Sequence, residues 1–230
     1  MSGIGAPQIG TMYSEIILDA SGSMHGGKYN AACEGIKEEI IQLNKDKSNV
    51  RTIVRITEFE GDWREGTNKC MKFSGPCELA TINFKPRGTG GSTPLYATLG
   101  YILDDLQTKM VKGDTAIVKI FTDGGENSSY GSPYANASTL AQRIKQAEDA
   151  GVIITFVGTQ FDVDVMIKSM GISKGNTIAH NNTPESLTKA FKVAASATRG
   201  LRQDYGIGGQ SVASAYKTDF FSQNKEEEQQ

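Results

Sequence analysis

The sequence predicts an α/β fold: a doubly wound, mainly parallel central sheet with one antiparallel edge strand and helices on both faces. Short apolar runs alternate with longer segments of helical periodicity, the order that builds strand–helix crossover units. Two runs, TAIVKIFTD at 115–123 and VIITFVG at 152–158, are apolar almost throughout. Strands covered by helices on both sides need that composition.

Each element can be justified in turn. YSEIILD, 13–19, reads as a first strand ending in Asp19. From Lys28 to Asn44, Ala32, Cys33, Ile36, Ile40, Ile41 and Leu43 fall at helical spacing, with Lys37, Glu38 and Glu39 assigned to the wet face. VRTIVRITEF, 50–59, alternates apolar and charged positions, and NKCMKF, 68–73, follows the turn-rich EGDWREGT, so it is expected to pair back as the antiparallel edge. In RGTGGSTPLYATLGYILDDLQTKM the glycines mark a loop, Ser92 or Thr93 is a candidate cap and Pro94 suits a first helical turn. Leu95, Leu99, Ile102, Leu103 and Leu106 then share one face. After the strand at 115–123 come a helix over about 138–150 stopped by Gly151, the strand 152–158, a helix near 162–170, a short strand near 176–179 and a helix near 184–198. One domain over 11–199 is expected, after an extension at 1–10. The Gly-, Ser- and Gln-rich 200–230 reads as a flexible tail, although SVASAYKTDFF carries enough apolar residues to dock.

Charge narrows the classes of partner. Lys plus Arg total 24 against 26 Asp plus Glu, a net charge of −2, which gives no electrostatic footprint for nucleic acid or an anionic membrane. No apolar stretch approaches the roughly 18–20 residues of a membrane span, and the first residues lack the basic region and apolar core of a secretion signal. A cytoplasmic location is therefore the expectation. Cys33, Cys70 and Cys77 are odd in number and form no C-x-x-C pair; Cys70 and Cys77 could close a small loop as a disulfide, but free thiols are expected. In such a compartment the sequons at Asn127, Asn136 and Asn181 carry no glycan.

The chemistry concentrates at strand ends. IILDASGSMHGG, 16–27, sets Asp19, Ser21 and Ser23 immediately after the first strand. Thr93 lies in the Gly-rich loop before the next amphipathic helix, and Asp123 ends the strand IVKIFTD. Open parallel sheets bind ligands outside the carboxyl ends of their strands, so three loops far apart in sequence bring hard oxygens to one edge. Gly22, Gly26, Gly27, Gly90, Gly91, Gly124 and Gly125 are expected to let these loops fold tightly. Carboxylates and hydroxyls without histidine or thiolate favour Mg²⁺ or Mn²⁺ over Zn²⁺.

DASGSM at 19–24, GGSTPL at 90–95 and FTDGGEN at 121–127 resemble the three segments of the metal-ion-dependent adhesion site of von Willebrand factor A domains. The strand and helix order is similar over roughly 11–198. The resemblance implies a Rossmann-like fold and a complete metal site formed by Asp19, Ser21, Ser23, Thr93 and Asp123. It also implies a non-catalytic protein-binding module in which a partner's Asp or Glu completes the metal's coordination, as in cytoplasmic microbial adaptors. Glu126 is the less typical residue: a further carboxylate close enough to fill the open position itself. His25, next to the site, and Tyr130 and Tyr134, in the loop after Asp123, are candidate contacts for the partner, with ordinary loop packing as the alternative.

Other readings find less support. Asp19 and Ser23 could simply cap the helix that follows. A structural subunit whose metal-filled site is not the contact is one functional alternative. A Mg²⁺-dependent phosphatase or phosphoacceptor is another. An aspartyl-phosphate phosphatase needs a carboxylate two residues after Asp19, where Ser21 stands; a receiver-type domain needs paired acids after the first strand. Neither a G-x-S-x-G elbow nor a P-loop occurs.

Overall fold

A computed structural model describes residues 9–221. Alternation along the strands sets its layers. In β1 (Met12–Asp19), Ile16 and Leu18 enter one apolar core and Ile17 the other. The remaining strands are β2 (Thr52–Phe59), β3 (Met71–Glu78), β4 (Thr115–Phe121), β5 (Val152–Thr159) and β6 (Thr177–His180). They form one sheet in the order β3-β2-β1-β4-β5-β6. All neighbours are parallel except β2 and β3.

The helices are α1 (Gly27–Lys45), α2 (Thr67–Cys70), α3 (Leu95–Lys109), α4 (Ala137–Asp149), α5 (Gln160–Met170), α6 (Pro184–Gly208) and α7 (Gln210–Ala213). Apolar residues of α1 and α6 share the core that holds Ile16 and Leu18, while those of α3, α4 and α5 share the core that holds Ile17. Phe191 of α6 stacks on Phe121 of β4 at 3.8 Å between ring centroids, tying the long helix to the sheet centre. This is the doubly wound, mainly parallel fold expected, with the antiparallel edge in place. The sheet order reverses at β1: α1 carries the chain outward to β2, and β4 sits on the other side of β1.

Three sequence expectations need correction. Residues 67–70 form the short helix α2, because Lys69 N and Cys70 N both donate to Gly66 O, at 3.1 and 3.2 Å, so the edge strand begins only at Met71. The domain boundary expected at residue 199 falls inside α6, which runs to Gly208. Within the stretch expected as a tail, Leu201, Tyr205, Phe220 and Phe221 are buried in the α1/α6 core. Asn176 fixes the end of this segment, donating to Lys217 O at 2.6 Å and accepting from Phe220 N at 2.8 Å. Residues 1–8 of the expected extension and 222–230 of the expected tail lie outside the described residues.

Glu39 is the third correction. It lies at the buried face of α1 and pairs there with Lys119 of β4, both side chains fully buried. Lys119 also donates to Thr198 of α6 at 3.3 Å. An apolar-versus-charged pattern assigns every charge to water, and only the facing strand reveals the partner. The cysteines are free thiols: Cys33 and Cys70 are buried and Cys77 is half-buried. No helix among the described residues is long and apolar enough to cross a membrane.

Removing one member of a buried ion pair strands the other charge, typically at ~3–5 kcal/mol. Lys119→Met alone should therefore destabilise the fold by about that amount. The double variant Lys119→Met/Glu39→Leu should recover most of it. Denaturant unfolding of both variants checks this, and a double variant no better than the single one would contradict it.

Candidate metal centre

β1 and β4 are adjacent, with Leu18 opposite Phe121 in register. The chain's two site carboxylates, Asp19 at the end of β1 and Asp123 just beyond β4, therefore leave the sheet side by side where the connections diverge. Asp19 is fully buried and Asp123 is 8% exposed.

Hydrogen bonds join four of the five sequence-predicted residues into one cluster. Asp19 Oδ1 accepts from the backbone N–H of Ser21 at 2.7 Å, and Ser21 Oγ lies 3.0 Å from Ser23 Oγ. Ser23 Oγ donates to Asp123 Oδ1 at 2.6 Å. Thr93 is not bonded to that cluster but is tied by its backbone to the loop after β4 that carries Asp123. Its N–H donates to Asn127 Oδ1 at 2.8 Å, and Asn127 N–H donates back to Thr93 O at 3.1 Å. Among the described residues no hydrogen bond engages the Thr93 hydroxyl.

Main chain sews the first two loops together and ties the second to the β2–β3 connection. Gly90 N–H donates to Ala20 O at 2.8 Å, Gly22 N–H to Gly91 O at 3.1 Å and Gly61 N–H to Ser92 O at 2.9 Å. Gly91 has φ +61°, and a Cβ there would stand 2.7 Å from Gly61 N, so the approach requires glycine. Gly26, φ +85°, turns the first loop into α1. Gly124 and Gly125 show no positive φ; Gly124 instead lies beside Ser23, whose Oγ is 3.6 Å from where a Cβ would be.

The capping alternative for these residues does not hold. The N-cap of α1 is Gly26, with no side-chain cap, so Asp19 and Ser23 do not cap it. Nor do Ser92 and Thr93 cap α3, whose N-cap is Pro94. That helix is capped from another loop: Glu126 Oε2 accepts from Tyr96 N–H at 2.7 Å and Ser129 Oγ from Ala97 N–H at 2.9 Å. Glu126 also accepts from the N–H groups of Ser128 and Ser129, at 2.7 and 2.6 Å, and from the Ser129 hydroxyl. With Oε2 engaged at the start of α3 and Oε1 by its own loop, Glu126 has a structural task that occupies both oxygens its sequence position offered as an extra ligand.

The other candidates separate. His25 is exposed, with Nδ1 3.0 Å from Thr89 Oγ1. Tyr134 packs its ring on Gly100 and donates to Asp104, whereas Tyr130 is 62% exposed beneath the Arg64 guanidinium. Sequence reasoning missed Thr122, Lys28, Asn182 and His180. Thr122 Oγ1 donates to Asp19 Oδ2 at 2.5 Å, and His180 Nε2 sits 3.3 Å from Thr122 O. Thr122 stood inside a quoted motif, but as a strand-end threonine it carried no signal of its own. Asn182 had none, since its approach depends on tertiary structure.

Burial pushes the Asp19 carboxyl up to about 6, opposed by its bonds from Thr122 and Ser21 and reinforced by the charge of Asp123. Burial likewise pushes the His180 imidazole down. The donor set, two carboxylates with three hydroxyls, fits a hard divalent cation. Among the described residues no three His, Cys, Asp or Glu side chains group to hold a metal, so hydroxyl oxygens are indispensable to any such site here.

The von Willebrand factor type A domain model matches residues 16–193, and the chain belongs to that family. No curated protein sequence matches it. Solved structures share the fold at low identity. The pilus adhesin SpaC of Lactobacillus rhamnosus GG, in an open conformation, aligns with TM-score 0.59 at 13% identity, over 83% of this chain and 30% of that one. Proximal thread matrix protein 1 of the mussel byssus, in a form with a zinc-occupied MIDAS motif, gives 0.54 at 15% identity, over 83% and 46%. A von Willebrand factor type A protein of Catenulispora acidiphila gives 0.51 at 18%, over 83% and 43%. The chain thus spans less than half the length of each of these structures.

Folding raises the Asp19 pKa from the usual 3.8 to about 6, so the stability it contributes is full below 3.8 and is lost as pH rises through about 6. In chelator, Asp19→Asn should therefore unfold at a higher temperature than wild type at pH 7.5, and the gap should close toward pH 4. Thermal unfolding across pH 4–8 checks this. A variant less stable than wild type at pH 7.5 would show that the carboxylate is not held against a desolvation cost.

Proposed function

We propose that the chain is a non-catalytic, metal-dependent protein-binding module whose site is formed by Asp19, Ser21, Ser23, Thr93 and Asp123. The observation that carries this is the convergence of the three loops at the β1/β4 divergence, with the Thr93 hydroxyl left unused by helix capping. Mg²⁺ or Mn²⁺ is the expected ion. When bound, it would supply a Lewis-acidic position at which an oxygen of a partner's Asp or Glu binds.

The residues around the site suit that task. Hydroxyl ligands leave more of an ion's charge uncompensated than further carboxylates would, which favours an incoming anion. Glu126 is committed to α3 and does not compete for the position. At the same edge of the sheet, Tyr130 and Phe161 in the first turn of α5 are 62% and 75% exposed, giving aromatic contact area of the kind that anchors interfaces. Catalysis by a serine nucleophile is poorly served: His25 contacts Thr89 and His180 contacts Thr122, so neither imidazole bonds to Ser21 or Ser23. The zinc-occupied MIDAS of the mussel protein supports metal binding at this fold position, and the adhesin supports a binding role. The partner is expected to be a protein presenting an acidic side chain, met in the cytoplasm.

Affinity capture from the source cell, followed by titration with the captured protein, tests the reading. In Mg²⁺, Thr93→Ala should weaken binding by roughly tenfold or more, ~1.4 kcal/mol, with its unfolding midpoint little changed, and chelator should have a similar effect on wild type. Equal binding by Thr93→Ala and by chelated wild type would rule out a metal bridge.

A further inference from the structure

Both oxygens of Asp123 are engaged. Oδ1 accepts from Ser23 Oγ at 2.6 Å, and Oδ2 is paired with the ammonium of Lys28, the second residue of α1. The same ammonium donates to Asn182 Oδ1 at 3.2 Å. Asn182 is held for this by its backbone. It has φ 56°, the only positive φ of a non-glycine among the described residues, and its N–H donates to His180 Nδ1 at 3.1 Å. The Lys28 side chain is only 20% exposed and that of Asp123 only 1%. This is no loose surface pair but a fixed cation on a buried carboxylate, with the β6–α6 turn as its second anchor.

We propose that Lys28 is a built-in competitor of the divalent ion for Asp123 and sets the metal affinity of the site. The inference rests on the metal-site reading above. A carboxylate oxygen already compensated by a full positive charge is a poorer ligand for a second cation, and two cations on one shielded carboxylate repel. Metal binding through Asp123 must therefore loosen the Lys28–Asp123 pair. Asn182 gives the ammonium an acceptor that does not depend on Asp123, so the loosened lysine is not left without a partner. The site consequently fills at a higher divalent-ion concentration than its oxygen donors alone would require, and occupancy becomes conditional on supply.

Calorimetric titration of the full chain with Mg²⁺, and separately with Mn²⁺, tests this on wild type, Lys28→Gln, Lys28→Met and Lys28→Arg. Thermal unfolding of each with and without saturating Mg²⁺ accompanies it. Lys28→Gln should bind at least about tenfold more tightly than wild type, and its midpoint should rise more on adding Mg²⁺. Lys28→Met, which keeps the aliphatic stem, should behave likewise and serves if the glutamine variant fails to fold. Lys28→Arg, which keeps the charge, should stay nearer the wild-type affinity. Neutral variants that bind as wild type does, or more weakly, overturn the proposal, including the case where they lose stability with affinity unchanged. If neither wild type nor the neutral variants bind either ion, the metal-site reading itself falls and the inference with it.

Discussion

Two carboxylates held out of water at the ends of neighbouring strands are the constraint around which the rest of this molecule is arranged. Asp19 and Asp123 are each more than nine-tenths buried, and their charges repel. Desolvation of that kind is costly unless donors or cations compensate it. Each oxygen accordingly has a partner: Ser21 N–H and Thr122 on Asp19, Ser23 and Lys28 on Asp123. On the proposed reading this buried pair is where a divalent cation binds, which accounts for the hydroxyls and tight loops that crowd this end of the sheet.

The sheet supplies the placement, and the loops supply the precision. Because β1 and β4 are neighbours although nearly a hundred residues apart, the divergence of their connections is fixed by topology before any side chain is considered. The main-chain bonds Gly90–Ala20, Gly22–Gly91 and Asn127–Thr93 then lock the three loops to one another. Glu126 completes the division of labour. By capping α3 from the β4–α4 loop it releases Thr93 from that duty and ties both loops to one helix. Preorganisation of this sort rests on rigid elements supporting the site residues.

The succession of strands and helices, the antiparallel edge and the site loops were legible in the sequence because strong local signals mark them: continuous apolar runs, Gly-rich turns and an Asp at the end of β1 and just past β4. What was not legible depends on contacts across the fold. Glu39 looked solvated because helical periodicity cannot see Lys119 on the strand beneath it. The 200–221 segment looked like a tail because its glycines and serines dilute the apolar residues, yet Tyr205 and Phe220 are fully buried. Lys28 and Asn182 carry no motif: the first turn of α1 brings Lys28 to Asp123, and the β6–α6 turn brings Asn182 to Lys28. Glu126 was read by its nearness in sequence, whereas its donors lie on α3 and its own loop.

The central claim is that these convergent oxygens form one divalent-cation site. Crystals of the full chain grown or soaked in Mn²⁺, with diffraction recorded for its anomalous signal, test it most directly. The account predicts a strong anomalous peak among Asp19, Ser21, Ser23, Thr93 and Asp123. No peak among these residues under saturating Mn²⁺, or occupancy confined to another part of the molecule, would contradict it.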